Sequence, residues 1–236
     1  MKINFKMPEG FKAIREKNLH LKTRIQSLKW RKNMENISDN THDAAGGVEV
    51  MAPNDSDKAE TAENMKVVFS DRAYASILAE TAEKIHTETG GLFLGAVEGN
   101  TWYVVEVIDP GPNSIFEVAY FEYDQKYTRH LINKIANLYD ATLDLIGLWH
   151  RHPGSFDIFS QTDDGTNTQY AAMRPEGAVS MLVNIDPQLR FTVYHVAQKC
   201  RYTRIPYEVG TRKIPEKYLK LKSLQRFERI MRVRIK

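Results

Sequence analysis

The chain has 236 residues, with 33 Lys/Arg against 30 Asp/Glu and 42% hydrophobic residues. This is the composition of an ordinary globular chain and excludes collagen-like and wholly disordered ones. No run approaches the roughly 20 apolar residues of a membrane-spanning helix, the first residues lack the apolar core of a secretory signal, and the single cysteine, Cys200, excludes an intrachain disulfide; a cytoplasmic protein that does not enter a membrane is expected.

The net charge of +3 conceals an uneven distribution. Residues 1–33 carry ten Lys/Arg against Glu9 and Glu16, and residues 211–236 carry ten against Glu216 and Glu228, so an acidic body lies between two basic ends. In the first of these ends, Phe11, Ile14, Leu21, Ile25 and Leu28 fall at heptad positions, with Asn18 in the slot between Ile14 and Leu21. This pattern predicts an amphipathic helix suited to self-association or to docking on a partner through residues 11–32. Residues 34–65 contain no aromatic residue, eight Asp/Glu and one Lys, too little apolar surface to offset ordering, and read as an acidic flexible linker.

From Lys66 the pattern turns mixed. Lys66–Ser70 reads as a strand and Asp71 to about Thr87 as a helix with Asp71 as N-cap. Gly91–Gly95 and Thr101–Ile108 read as strands around the turn Glu98-Gly99-Asn100. Phe121 to about Tyr139 reads as a helix with Tyr127, Leu131, Ile135 and Leu138 on its stripe. Leu145–His150 reads as a strand, Ser160–Met173 as a helix, and Ala178–Ile185 and Phe191–Val196 as strands. Residues 215–236 read as a second basic helix that starts at Pro215 and docks on the acidic body. The order predicts an α/β fold, a mixed β-sheet flanked by helices over residues 66–210, with basic helical extensions at both ends. No aromatic RNA-binding signature or helix-turn-helix pattern accompanies the basic ends, which ranks nucleic acid below a protein partner.

One segment stands apart: Gly147-Leu148-Trp149-His150-Arg151-His152-Pro153-Gly154, continuing to Ser160-Gln161-Thr162-Asp163. Side chains two apart on a strand point to the same side, so His150 and His152 are placed to converge on one metal at Zn–N distances of about 2.0–2.1 Å. The carboxylate completing the set is one of Asp157, Asp163 or Asp164. Asp163 and Asp164 lie about 100° apart on a helix, so only one of them faces the site. Ser160-Gln161-Thr162-Asp163 also fits a capping box that needs no metal.

The run H-x-H-P, six residues, then S-x-x-D resembles the signature of the JAMM (MPN+) metalloprotease family, the ubiquitin-isopeptidase fold also called Mov34/PAD-type. Upstream, Glu88-Thr89-Gly90-Gly91-Leu92-Phe93-Leu94-Gly95 stands where that family places a glutamate before a glycine-containing strand. The resemblance spans about residues 66–205 and implies an MPN/cytidine-deaminase-like fold. It further implies that His150, His152 and Asp163 bind Zn2+, that Glu88 is the general base and proton donor to the leaving amine, and that Ser160 steadies the oxyanion or the water. No covalent nucleophile is implied, which leaves Cys200 as a packed residue in or beside a strand. Arg151 stands where eukaryotic relatives often carry Ser or Thr, and is expected to bear on what approaches the metal. The short stretch from Asp164 to Pro175 resembles prokaryotic members. The implied activity is a zinc (iso)peptidase cutting after the C-terminal glycine of a ubiquitin-like or sulfur-carrier protein, with E1/E2-like activating and conjugating enzymes as pathway partners. The alternative is the same fold as a non-catalytic scaffold in such a pathway.

Overall fold

The computed structural model describes residues 64–153 and 157–235; the expected N-terminal helix and acidic linker lie outside them. Among the described residues, eight strands form one mixed sheet in the order β10-β1-β3-β2-β6-β7-β8-β9, and β4 and β5 form a separate hairpin. In chain order the elements are β1 (Lys66–Phe69), α1 (Asp71–Glu83), β2 (Thr89–Glu98), β3 (Thr101–Ile108), β4 (Ile115–Glu117), β5 (Tyr120–Glu122), α2 (Gln125–Ala136) and β6 (Asp144–Arg151). There follow α3 (Gln161–Ala171), β7 (Ala178–Asn184), β8 (Arg190–Ala197), β9 (Arg201–Arg204), β10 (Tyr207–Val209), α4 (Glu216–Leu219) and α5 (Leu224–Ile235). The expected mixed sheet flanked by helices is what the chain forms.

Helices cover both faces, which explains why β7 and most of β2 are buried residue after residue rather than alternately. On one face, Ala73 and Ile77 of α1 pack with Phe69, Phe93, Trp102 and Trp149. On the other, Ile132 and Ala136 of α2 and Tyr170 and Ala171 of α3 pack with Leu92, Leu94 and Leu148. α1 is capped by Ser70 rather than Asp71: the Ser70 hydroxyl accepts from the Ala73 N–H at 3.0 Å and donates to the Val105 carbonyl at 2.7 Å. It ends at Glu83, short of the expected Thr87. The expected helix from Phe121 starts only at Gln125, after Asp124 accepts from the amides of Lys126 and Tyr127, because Phe121 belongs to the β4–β5 hairpin. Its buried stripe is Thr128, Ile132 and Ala136, one position on from the expected one, and Leu138 is exposed.

Two features place the site. β6, α3 and β7 form a parallel crossover unit, which brings the carboxyl end of β6 beside the amino end of α3, the usual crevice of such sheets. Against β2, the register jumps from Phe93↔Gly147 to Leu94↔Leu145, so Ile146 is an extra residue and β6 carries a bulge. Ile146 therefore stays on the α1 face while Leu148, two residues on, faces α2 and α3. The bulge needs Gly147, where a Cβ would lie 1.9 Å from the Val179 carbonyl oxygen.

The C-terminal segment is two helices, not one. Its first part docks: Ile214 is buried, Lys217 pairs with Glu98 at 2.9 Å, and Tyr218 packs on Tyr103. Lys222 donates to the carbonyls of Asn137 (2.8 Å) and Tyr139, a cation just past the C-terminal end of α2. α5 is held through Arg226–Asp140 at 2.8 Å, while Leu224, Met231 and Val233 are exposed. No helix among the described residues is long and apolar enough to cross a membrane.

Candidate metal centre

His150 is the penultimate residue of β6 and His152 lies just past its end; strand alternation sends both imidazoles toward α3 and sends Arg151, between them, toward α1. Both histidines are buried, and their Nε2 atoms are 2.8 Å apart. Asp163, the third residue of α3, completes the group: its Oδ1 is 3.4 Å from His150 Nε2 and its Oδ2 is 3.6 Å from His152 Nε2. The other two candidate acids are engaged elsewhere. Asp157 pairs with Arg190 at 3.0 Å, and Asp164 accepts from the Tyr202 hydroxyl at 2.6 Å.

The capping box also forms, and it serves the same site. The Asp163 N–H donates to Ser160 Oγ at 3.2 Å, and the Ser160 N–H donates to Asp163 Oδ2 at 2.7 Å. The bond that caps α3 thus fixes the rotamer that turns the carboxylate to the imidazoles, as hydrogen-bonded ligand carboxylates generally require. Burial pushes the Asp163 carboxyl up, but His150, His152 and Ser160 overwhelm that and hold it well below the usual carboxylate range.

The donor set fits zinc. Two neutral imidazoles and a carboxylate are its usual hydrolytic ligands, and tetrahedral bonds of about 2.0–2.1 Å place neighbouring donor atoms roughly 3.3–3.4 Å apart, against the 2.8, 3.4 and 3.6 Å found. Two nitrogens 2.8 Å apart would repel through their lone pairs unless a proton or a cation lies between them. Among the described residues, this is the one cluster of His, Cys, Asp or Glu donors that could hold an ion.

Glu88 immediately precedes β2. Thr89 pairs with Arg151 and Gly90 with His150, so one further step sets Glu88 abreast of His152 on the same face. Burial, opposed by His152 and reinforced by Asp163, pushes its carboxyl up to about 7. Gly90 leaves the room this requires: a Cβ there would lie 2.5 Å from the Trp149 carbonyl oxygen, 2.9 Å from the Phe121 ring and 3.1 Å from the His150 Cβ. The Glu88 N–H donates to the Glu117 carbonyl at 2.7 Å, and the buried Thr89 hydroxyl donates to Glu80 of α1 at 2.6 Å.

Ser160 is exposed, and its hydroxyl oxygen accepts from the Asp163 N–H in the cap. Phe159 lies between the site and a tyrosine pair, 5.7 Å from the His150 ring and stacked on Tyr202 at 4.7 Å. Nothing in the spacing of Phe159, Tyr194 and Tyr202 signals this assembly; two of the three come from strands far along the chain. Cys200 sits in the turn between β8 and β9, donating to the Asp164 carbonyl, not within β9. Arg151 corrects the expectation most clearly: it faces away from the histidines and does not border the approach to them.

The solution structure of protein DSY2949 from Desulfitobacterium hafniense is similar, at 14% identity and a TM-score of 0.48 over 61% of this chain and 92% of that one. No curated protein matches. Residues 70–196 match the family described as prokaryotic homologs of the JAB domain, a span holding Glu88, His150, His152, Ser160 and Asp163. The chain belongs to that family, and its body is a prokaryotic JAB/MPN domain.

Proposed function

We propose that the protein is a zinc-dependent (iso)peptidase that cuts after the C-terminal glycine of a ubiquitin-like or sulfur-carrier protein. The observation that carries this reading is the convergence of His150, His152 and Asp163, with donor atoms all within 4.8 Å of one another, beside Glu88. His150, His152 and Asp163 would hold the ion. Zinc so held supplies a Lewis acid that lowers the pKa of water to about 7 and polarises a carbonyl.

The chain's own groups account for the rest. Amide hydrolysis needs one proton removed from the attacking water and one delivered to the departing nitrogen. Glu88, a buried carboxyl beside the ligands, would serve as acceptor in the first step and return the proton it took to the departing nitrogen in the second. The Ser160 hydroxyl, beside Asp163, would turn to donate to the oxygen on which negative charge grows as the carbonyl is attacked. The buried histidines keep bulk water from one side of this chemistry. The substrate class rests on the family likeness, and with it the expectation of activating and conjugating enzymes as neighbours in the pathway.

The test is zinc content of the purified chain together with hydrolysis of ubiquitin-like and sulfur-carrier fusions, with and without chelator. About one zinc per chain and cleavage that chelation abolishes and zinc restores are expected. Protein free of zinc that acts identically before and after chelation would favour the scaffold reading instead.

A further inference from the structure

Arg151 stands between the two histidines in sequence, yet it is 1% exposed and takes no part in their cluster. A buried guanidinium requires compensation, and among the described residues no carboxylate provides it. Three main-chain carbonyls do: Nη1 donates to Lys84 at 2.6 Å and to Thr87 at 2.5 Å, and Nη2 donates to Ile85 at 2.5 Å. These carbonyls lie in the turn that follows α1, at the negative end of its dipole, and the Lys84 carbonyl also accepts from the Thr87 N–H at 3.3 Å. A planar fork of donors reaches several acceptors at fixed angles, so the bonds set the path of residues 84–87. The next residue is Glu88.

We propose that Arg151 is the positioning residue for Glu88: one side of the His150-Arg151-His152 segment presents the metal ligands, and the other side holds the turn that delivers the base to them. The downstream side of Glu88 is tied by Thr89 to Glu80, and its own amide by Glu117; Arg151 supplies the upstream tie to the same strand that carries the histidines. The turn before Glu88 is thereby tied to the segment that carries the histidines, alongside the pairing of β2 with β6. This rests on the reading of Glu88 as general base, and a displacement of about 1 Å in such a group can cost around 10²-fold in rate.

The experiment compares the full chain with Arg151→Met and Arg151→Lys, by zinc content, by hydrogen exchange of the amides at 85–88, and by kcat and KM on a ubiquitin-like fusion. Arg151→Met should keep wild-type zinc, exchange the 85–88 amides at least about tenfold faster, and lose roughly 10- to 100-fold in kcat with KM within about threefold. Arg151→Lys, with one donor centre in place of the fork, should recover part of both losses. Unchanged exchange, or a kcat that falls only in step with zinc content, would overturn the proposal. If Arg151→Met fails to fold, Arg151→Lys decides by the same readings: faster exchange with lowered kcat supports the proposal, and wild-type values overturn it. An inactive wild type sinks the hydrolase reading alone, since the exchange comparison still supports or overturns the hold of Arg151 on the turn.

Discussion

Two helix ends of opposite polarity meet the segment His150-Arg151-His152, and they are complemented in opposite ways. At the amino end of α3 the partner is an anion, Asp163, belonging to the helix itself and three residues from its cap. At the carboxyl end of α1 the partner is a cation, Arg151, brought from at least 64 residues away. Both obey the same dipole rule, but their consequences differ. On the proposed reading, the α3 end supplies a ligand and would govern whether an ion binds, while the α1 end precedes Glu88 and would govern what happens to a substrate once the ion is there.

The comparison fails if substitutions at the two ends act alike. The largest effect is expected on the ligand side: His150→Ala or Asp163→Ala should lower zinc from about one per chain to roughly a tenth and hydrolysis by about 10³-fold or more, read by metal analysis and turnover. On the other side, Glu88→Gln should leave zinc unchanged and lower kcat by about 10²- to 10⁴-fold; loss of zinc in that variant would erase the division. Gly90→Val tests packing between the ends. Its branched side chain would meet the Trp149 carbonyl and the Phe121 ring, destabilising the fold by about 1–3 kcal/mol in denaturant unfolding. Smallest is Tyr202→Phe, which frees Asp164 and should cost about 1 kcal/mol with zinc unaltered, since Asp164 is bound to tyrosine and not to the ion.

A pH titration of the metal-free chain sharpens the same contrast. Glu88 has a folded pKa near 7, above its ordinary 4.5, so the folded state holds its proton more tightly. Its contribution to stability is full below pH 4.5 and fades as pH rises toward 7. Asp163 is displaced downward, so its contribution is full above its ordinary 3.8 and is lost as pH falls. Glu88→Gln should flatten the decline between pH 4.5 and 7, and Asp163→Asn should flatten the acid limb; unfolding midpoints measured across pH check both.

The legibility of the site follows from the same geometry. The convergence of His150 and His152 follows from the strand period and the Ser160–Asp163 cap from helix rules, both of them local and readable from spacing. The choice among three acids was not: Asp157 and Asp164 are withdrawn by Arg190 and Tyr202, partners 33 and 38 residues distant. Glu88 was legible only through the family resemblance, because its place depends on the pairing of β2 with β6. The end of β5, Phe121 and Glu122, reads as the start of a helix because Phe121 and Tyr123 extend an apolar run into α2, and tertiary packing overrides that local preference. The role of Arg151 had no local signal, for its acceptors are backbone atoms and leave no trace in residue identity.

The bulge at Ile146 works as a phase shifter for everything downstream of it. A strand has only two settings, and one supernumerary residue, admitted by a glycine without a side chain, selects between them. Had Ile146 been taken into the regular ladder instead of bulging, the motif would be turned inside out, aiming the guanidinium at α3 and driving both imidazoles beneath α1, with every letter of H-x-H-P still in place. The signature therefore names the proposed ligands, while a bulge four places earlier decides whether they look into the crevice or into the core.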